Sequence, residues 1–412
     1  MGNVEERSRY AALSRDELAR LVPELLLIGQ LIDRSGMAWC IGAFGRDEMA
    51  QVAIDEWAAA SPIYTRRMQR ALGYAGDDVV TIFKGLQLDI GAPPQFMDFR
   101  YTVDDPNHGA FHLDHCGALM DVEPMGAEYV RAMCHDIEDP TFDATAVATN
   151  PHAQVRPIHR PPRVPSDRSP HCAWTVIIDP GHPPVEATAE CLRNAESQAA
   201  LVELAPIAGE GEGRHDYAGP LLADLDFAEF SHSALVRIAD EVCLQMHLLF
   251  NGFRMAVAKR LPDAPADAER LALRTLIGIA GIASERIMRA VDVPRTPDGA
   301  VELLLLHPIF NPAAYVTASG AGDRLEVRPG PAHLDGAWIS LCGPEELRPL
   351  QAAVRALDAS FDVTITGMAD SFAVQVTRGE GAKEFDEVAV TRISTGASFV
   401  FQPRKALPLY PV

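Results

Sequence analysis

The chain repeats itself at a spacing of about 220 residues, and a period of that length restricts it to two copies of one domain-sized unit. His112-Leu113-Asp114-His115-Cys116 returns as His333-Leu334-Asp335-Gly336-Ala337 (333 − 112 = 221). Phe142-Asp143-Ala144-Thr145 is echoed by Phe361-Asp362-Val363-Thr364 (361 − 142 = 219), and Met68 by Met288 (288 − 68 = 220). The anchors keep their order and their spacing. Only the first copy carries the His-Cys pair, so reactive side chains are expected in the first half and a degenerate copy in the second. The division read from this is 1–180 for the first repeat, 181–229 for a connector and 230–412 for the second repeat.

The order of elements argues for an α+β fold. Arg15 to about Arg34 places Leu18, Leu21, Val22, Leu25, Leu26 and Ile28 on one helical stripe, and Ser14 with Glu17 forms a capping box. Helices are expected over Asp47–Trp57, over Pro62–Leu72 with Ser61 as its cap, and over Asp77–Gly91. Strands follow at Phe96–Val103 and Ala110–Ala118, then a helix over Pro124–His135. Phe142–Thr149 and Gln154–His159 read as a hairpin, and Cys172–Ile178 as a strand. The second half repeats the order, with helices over Ser231–Lys259, Asp267–Val291 and Pro344–Leu357. Its strands are expected at Ala300–Leu306, Tyr315–Ser319, Ala337–Leu341, Phe361–Ile365 and Phe372–Thr377, with more strand-like sequence over Val388–Phe401. Each half is helices first, then an antiparallel sheet with a packed helix. Two such repeats would form a pseudo-dimer.

Charge and composition narrow the partners. A net charge of −21 repels phosphate backbones and anionic membranes, so neither nucleic acid nor a membrane is an expected partner. A homo-oligomer is compatible with the sequence. The start, Met1-Gly2 with Glu6 at the position a myristoylation signal reserves for Ser or Thr, has no apolar targeting core. The apolar runs are too short for a bilayer. A bacterial cytoplasm is the expected setting, given the Arg-rich, Lys-poor composition of a high-GC genome. Seven cysteines there are expected to be free, metal-bound or catalytic.

Histidine and cysteine crowd into one span. Eight of the 13 histidines lie between His108 and His182, with Cys116, Cys134 and Cys172 among them. Three adjacent pairs stand out: His115-Cys116, Cys134-His135 and His171-Cys172. Three thiolates with one imidazole suit a tetrahedral zinc or iron centre, so Cys116, Cys134, Cys172 and His171 are candidate metal ligands. Without metal, Cys116 would be the nucleophile, and His115 or His135 the base. No CxxC occurs, and scattered structural roles are the competing reading. Asp136, Glu138, Asp139 and Asp143 flank the same region, where a carboxylate would serve as general acid or base. Arg156, Arg160, Arg163 and Arg168 lie in a proline-rich loop beside it. Arg160 and Arg163 are the candidates for holding an anionic small-molecule substrate. No Walker loop, GxGxxG, GxSxG or HExxH motif is present.

Residues from about Trp57 to Ile178 resemble the L-2-amino-thiazoline-4-carboxylic acid hydrolase family. The likeness is carried by FHLDHC at Cys116, RAMCHD at Cys134, TNP at Asn150-Pro151 and SPHCAW at Cys172. It covers roughly a third of the chain, and Gly117 replaces the proline usual after the first cysteine. The resemblance implies hydrolytic opening of a small C–N or C–S heterocycle. The competing class is a non-catalytic binding or sensing protein, or an accessory subunit of a catabolic enzyme.

Overall fold

The computed structural model describes residues 8–409. The Met1-Gly2 start and Glu6 lie outside the described residues. The fold is α+β, with two similar halves. The first half runs α1 (Arg15–Phe44), α2 (Arg46–Ala71), α3 (Val79–Leu86), β1 (Met97–Asp105), β2 (His108–Cys116), α4 (Gly117–Val122) and α5 (Ala127–Arg131). A π-helical turn (Ala132–Ile137) then leads into α6 (Glu138–Ala146), β3 (Ala153–His159), β4 (Cys172–Ile178), α7 (Ala189–Asn194) and α8 (Gln198–Leu201). The second half runs α9 (His232–Arg260), α10 (Pro265–Ala290), α11 (Pro297–Leu306), β5 (Ala318–Ala321), β6 (Arg324–Val327), α12 (Pro331–Leu334) and α13 (Arg348–Leu357). It closes with β7 (Phe361–Met368), β8 (Ser371–Arg378), α14 (Asp386–Thr391) and α15 (Thr395–Ser398). Each half folds one four-stranded antiparallel sheet, in the orders β1-β2-β4-β3 and β5-β6-β8-β7.

The long helices make the joint between the halves. α1 packs on α10 and α2 on α9. Their apolar faces are buried throughout, including Leu21, Leu25, Ile28, Leu244, Leu248, Ile279 and Ile282. Gly252 lets α9 pass close over α2, because a Cβ there would lie 2.6 Å from the Glu56 carbonyl oxygen. Two buried ion pairs cross the joint in equivalent places. Arg67 on α2 donates to Glu241 on α9 at 2.9 and 3.2 Å, and Arg286 on α10 pairs with Glu24 on α1. The partners are spaced alike (286 − 67 = 219; 241 − 24 = 217). Each arginine also donates to the backbone of the tail behind it. Arg67 reaches Ala200 and Val202, and Arg286 reaches Gly396 and Phe399. Arg67→Met is expected to cost about 1–3 kcal/mol, because the buried Glu241 loses one of its two arginines and keeps only Arg237, which donates to its Oε1 at 2.9 and 3.0 Å. The measurement is urea unfolding of the variant beside wild type, and a loss below about 1 kcal/mol would contradict it.

Two of the three sequence anchors are not equivalent positions. His112 lies in strand β2, whereas His333 lies in helix α12. Cys116 caps α4, and the residue capping α12 is Gly330, not Ala337. Phe142 and Asp143 are in helix α6, while Phe361 and Asp362 are in strand β7. Met68 and Met288 do fall near the ends of the paired helices α2 and α10. The spacing also changes along the chain. Twelve residues, 160–171, separate β3 from β4, whereas only 369–370 separate β7 from β8. The proline-rich loop therefore belongs to the first half alone.

Several local expectations are corrected. Asp47–Trp57 and Pro62–Leu72 are one helix, with Pro62 inside it and Ser61 bonded to Tyr64 rather than capping. Packing on α9 outweighs the hydrogen bond that Pro62 cannot make. Phe142–Thr149 is mostly α6, not a strand. Ala300–Leu306 is helical, begun by Thr296 as cap and Pro297 in the first turn. Ala337–Leu341 is largely a 3₁₀ turn, and Val388–Phe401 holds α14 and α15. Short apolar runs do not distinguish a buried strand from a buried helix.

Candidate active site

Helix α1 is apolar on the face toward α10, but Gln30, Asp33 and Arg34 break the run at positions i, i+3 and i+4 and so share one side. That side forms the floor of a cavity of about 80 Å³ in the first half. Trp57 of α2, Asp89 after α3, Met97 of β1 and Ala118 of α4 supply further walls. Glu138, Thr141, Phe142 and Thr145 of α6 close it. Phe142 fixes α6 in place by packing on the sheet, its ring centroid 5.4 Å from Phe111 and 5.0 Å from Trp174. Glu138, one turn earlier, is thereby held against the cavity. The π-helical turn immediately before it shifts the helical register, a feature common at functional sites.

The cavity and its surroundings are strongly acidic. Asp33 pairs with Arg34 and accepts a hydrogen bond from Trp57 Nε1 at 3.3 Å. Asp89 accepts from Tyr64 at 2.8 Å and from the Gly91 N–H at 2.7 Å, and burial raises its pKa to about 6. Glu138 is buried, and burial, with Asp139 adding to it against Arg160 and Arg34, raises its pKa to about 8. Its Oε2 has no hydrogen-bond partner among the described residues. Glu56, fully buried beside Asp33, has neither oxygen partnered among the described residues and is raised well above the usual carboxylate range by burial. Carboxyls raised toward neutrality in a concave site have the protonation behaviour that acid–base chemistry uses, and burial alone raises structural carboxyls such as Glu24 and Asp240 as well.

The three cysteines stand behind this cavity, within the electrostatic reach of Glu138. All three are buried. Cys116 Sγ accepts from the Leu119 N–H at 3.4 Å and lies 3.7 Å from Met97 Sδ. Burial, reinforced by Glu138, pushes its thiol up to about 12. Cys134 and Cys172 are raised by the same two causes. These are protonated thiols at neutral pH rather than ready nucleophiles. Among the described residues no three His, Cys, Asp or Glu side chains are grouped as a metal site. Cys116, Cys134, Cys172 and His171 are accordingly not gathered as a four-ligand set among the described residues.

The histidines are tied to backbone or packed on rings. His171 Nδ1 accepts from the Cys116 N–H at 3.2 Å, while the His171 N–H donates to Leu113 at 2.8 Å, locking β2 to β4. His115 stacks on Phe399 at 6.2 Å and sits 5.9 Å from the His171 ring. Burial lowers the pKa of both. His135 Nε2 bonds the Pro161 carbonyl at 2.7 Å, fastening the proline-rich loop. The loop arginines are bound to carboxylates of the chain. Arg163 donates to both oxygens of Glu123 at 2.8 and 2.7 Å, Arg160 pairs with Asp139, and Arg156 pairs with Asp143 at 2.9 Å. Arg160 and Arg163 thus brace the loop. Gly117 has a steric reason. A Cβ there would lie 2.1 Å from the Phe96 ring, and the Gly117 N–H donates to Phe96 at 2.8 Å, so proline is excluded. Gly117→Ala is expected to cost about 1–3 kcal/mol of stability, measured by thermal unfolding; an unchanged midpoint would show that Phe96 yields freely.

Sequence reasoning reached Glu138 only as one of four acids and missed Asp33, Arg34, Glu56 and Asp89. The available signal was polar residues at helical spacing inside the apolar run LLLIGQLIDRSG. No family model, curated protein or solved structure matches the chain. No helix among the described residues is long and apolar enough to cross a membrane.

Proposed function

We propose that the protein is a hydrolase-like enzyme that opens a C–N or C–S bond in a small nitrogen-bearing metabolite, with Glu138 as its acid–base group. The observation that carries this reading is Glu138 itself, a buried carboxyl with a pKa near 8 lining the cavity beside Arg34 and Asp33. The resemblance to the thiazoline carboxylic acid hydrolases supports the choice of bond. In the proposed step, ionised Glu138 takes a proton from water as the water oxygen adds to the electrophilic ring carbon. The C–N or C–S bond then breaks, and the proton held on Glu138 passes to the leaving nitrogen or sulfur. Arg34, kept charged beside Asp33, offsets the negative charge gathered during the addition.

The test is turnover of thiazolines and cyclic amidines, followed by loss of ring absorbance across pH. The proposal expects kcat/KM to rise with pH, to reach half its plateau near pH 8 as Glu138 ionises, and to level off only above that. Stoichiometric binding of the same compounds without turnover would replace the enzyme by a binding or sensing protein.

A further inference from the structure

We infer that a second cavity, which shares the wall of Arg34, Met133 and Ile137 with the acidic one and is closed by α14 and the turn after it, is a binding site for a small uncharged apolar molecule. This cavity measures about 230 Å³. Met37 and Ile41 of α1, Met49 of α2, Met133 of the π-helical turn, and Val390 and Ile393 of the second-half tail line it. Methionine side chains adapt to varied apolar shapes, which suits a ligand pocket better than a rigid core. An apolar cavity of roughly 150 Å³ already accepts a benzene-sized molecule, so the space admits a monocyclic aromatic or a compact branched hydrocarbon.

The duplicated fold supplies its own control. The same position in the second half is formed by Arg254 and Ala258 of α9 with Arg193 and Glu196 of the first-half tail. The correspondence is regular (254 − 37 = 217; 258 − 41 = 217; 390 − 193 = 197; 393 − 196 = 197). Asp121 and Asp335 occupy matching places as well. Asp121 accepts from the Thr395 N–H at 2.7 Å, and Asp335 from the Gln198 N–H at 2.9 Å. The two frames are built alike, yet the first presents mainly apolar side chains, whereas the second mixes Arg193, Glu196, Arg254 and Lys259 with apolar Met255 and Leu261. The fold therefore does not require the apolar lining, which leaves ligand recognition as its physical rationale.

The edge of the cavity argues for an uncharged occupant. Arg34 is already paired with Asp33, and Asp121 is engaged by Ser394 and Thr395. Ile393, 81 % exposed, and Met125, 48 % exposed, stand beside the opening, and an apolar guest would cover them.

Toluene is the probe, titrated into the full chain and followed by ligand-observed NMR. Saturable binding at one site is expected. Ala38→Trp, which fills the cavity from a half-buried position, is expected to weaken it by about tenfold or more. Met255→Trp, the equivalent change in the second frame (255 − 38 = 217), is expected to leave binding unchanged. Ile393→Glu changes an exposed residue at the opening and is expected to weaken binding with the fold intact, so it decides the matter if Ala38→Trp does not fold. Failure to saturate, or equal binding in wild type and Ile393→Glu, would overturn the inference. So would a dimer in sedimentation that Ile393→Glu dissociates while toluene fails to bind, since the patch would then be a face between two copies.

Discussion

Glu138→Gln is expected to lower turnover by about 10²–10⁴-fold, the usual contribution of a general acid–base group. Glutamine keeps the size and polarity of the side chain but cannot exchange a proton. The loss should fall on kcat, with KM changed little, because the proposed role lies in the transition state. The rise in kcat/KM through pH 8 should disappear with it. Glu138→Asp retains a carboxyl and should keep part of the rate. Cys116→Ala is the informative comparison. A protonated thiol behind the cavity predicts a much smaller loss than Glu138→Gln does. If Cys116→Ala abolished turnover while Glu138→Gln retained most of it, the chemistry would belong to the thiol and the proposed assignment would be wrong.

The protein is expected to be most stable in mildly acidic solution and to weaken by several kcal/mol as pH rises toward 9. Burial raises Asp89 to about 6, Glu24 and Asp240 to about 7 and Glu138 to about 8, and raises Glu56 well above the usual carboxylate range. In the unfolded chain these groups ionise near pH 4. Above that value the unfolded state sheds protons that the folded state keeps. The stability they confer is therefore full below about pH 4 and is lost as pH climbs through the folded values. Glu138 alone corresponds to something on the order of 5 kcal/mol over that interval. The net charge of −21 acts in the same direction by self-repulsion. At lower pH, carboxylates whose pKa is depressed, such as Glu123 by its hydrogen bonds from Arg163, lose their pairing instead. Urea midpoints should be higher at pH 5.5 than at pH 8.5, and Glu56→Gln and Glu138→Gln should each flatten the difference. A midpoint that rose with pH would show that these carboxyls are ionised in the folded protein.

Much of the architecture was legible because it depends on local periodicity. The capping box at Ser14, the apolar stripe of α1, the long helices α9 and α10, and strands β1, β2 and β4 all follow from neighbouring side chains. The errors cluster where a short apolar run has no local preference. Leu303, Leu304 and Leu306 suit a strand as well as a helix; the local signal lay before them, in Thr296 as cap and Pro297 in the first turn, and packing against α10 and α13 completes α11. The candidate site was half legible. The Cys/His cluster was legible as a crowded span, and Cys116, Cys134 and Cys172 do come together near Glu138. Their burial and the pairing of Arg160 and Arg163 with acids depend on contacts between distant segments, which no spacing encodes.

The sequence by itself determined that the chain is acidic, α+β and internally repeated, because charge, order of elements and repetition are properties of the string. Only the tertiary structure decided which residues correspond between the halves. The buried pairs Arg67–Glu241 and Arg286–Glu24 are equivalent across the joint, while the matching HLD motifs are not. It also decided which carboxyls are raised toward neutrality and which of them, Asp89 and Glu138, line the cavity. Desolvation is set by everything that packs around a group, and for Glu138 that means α1, β1, α4 and the π-helical turn together.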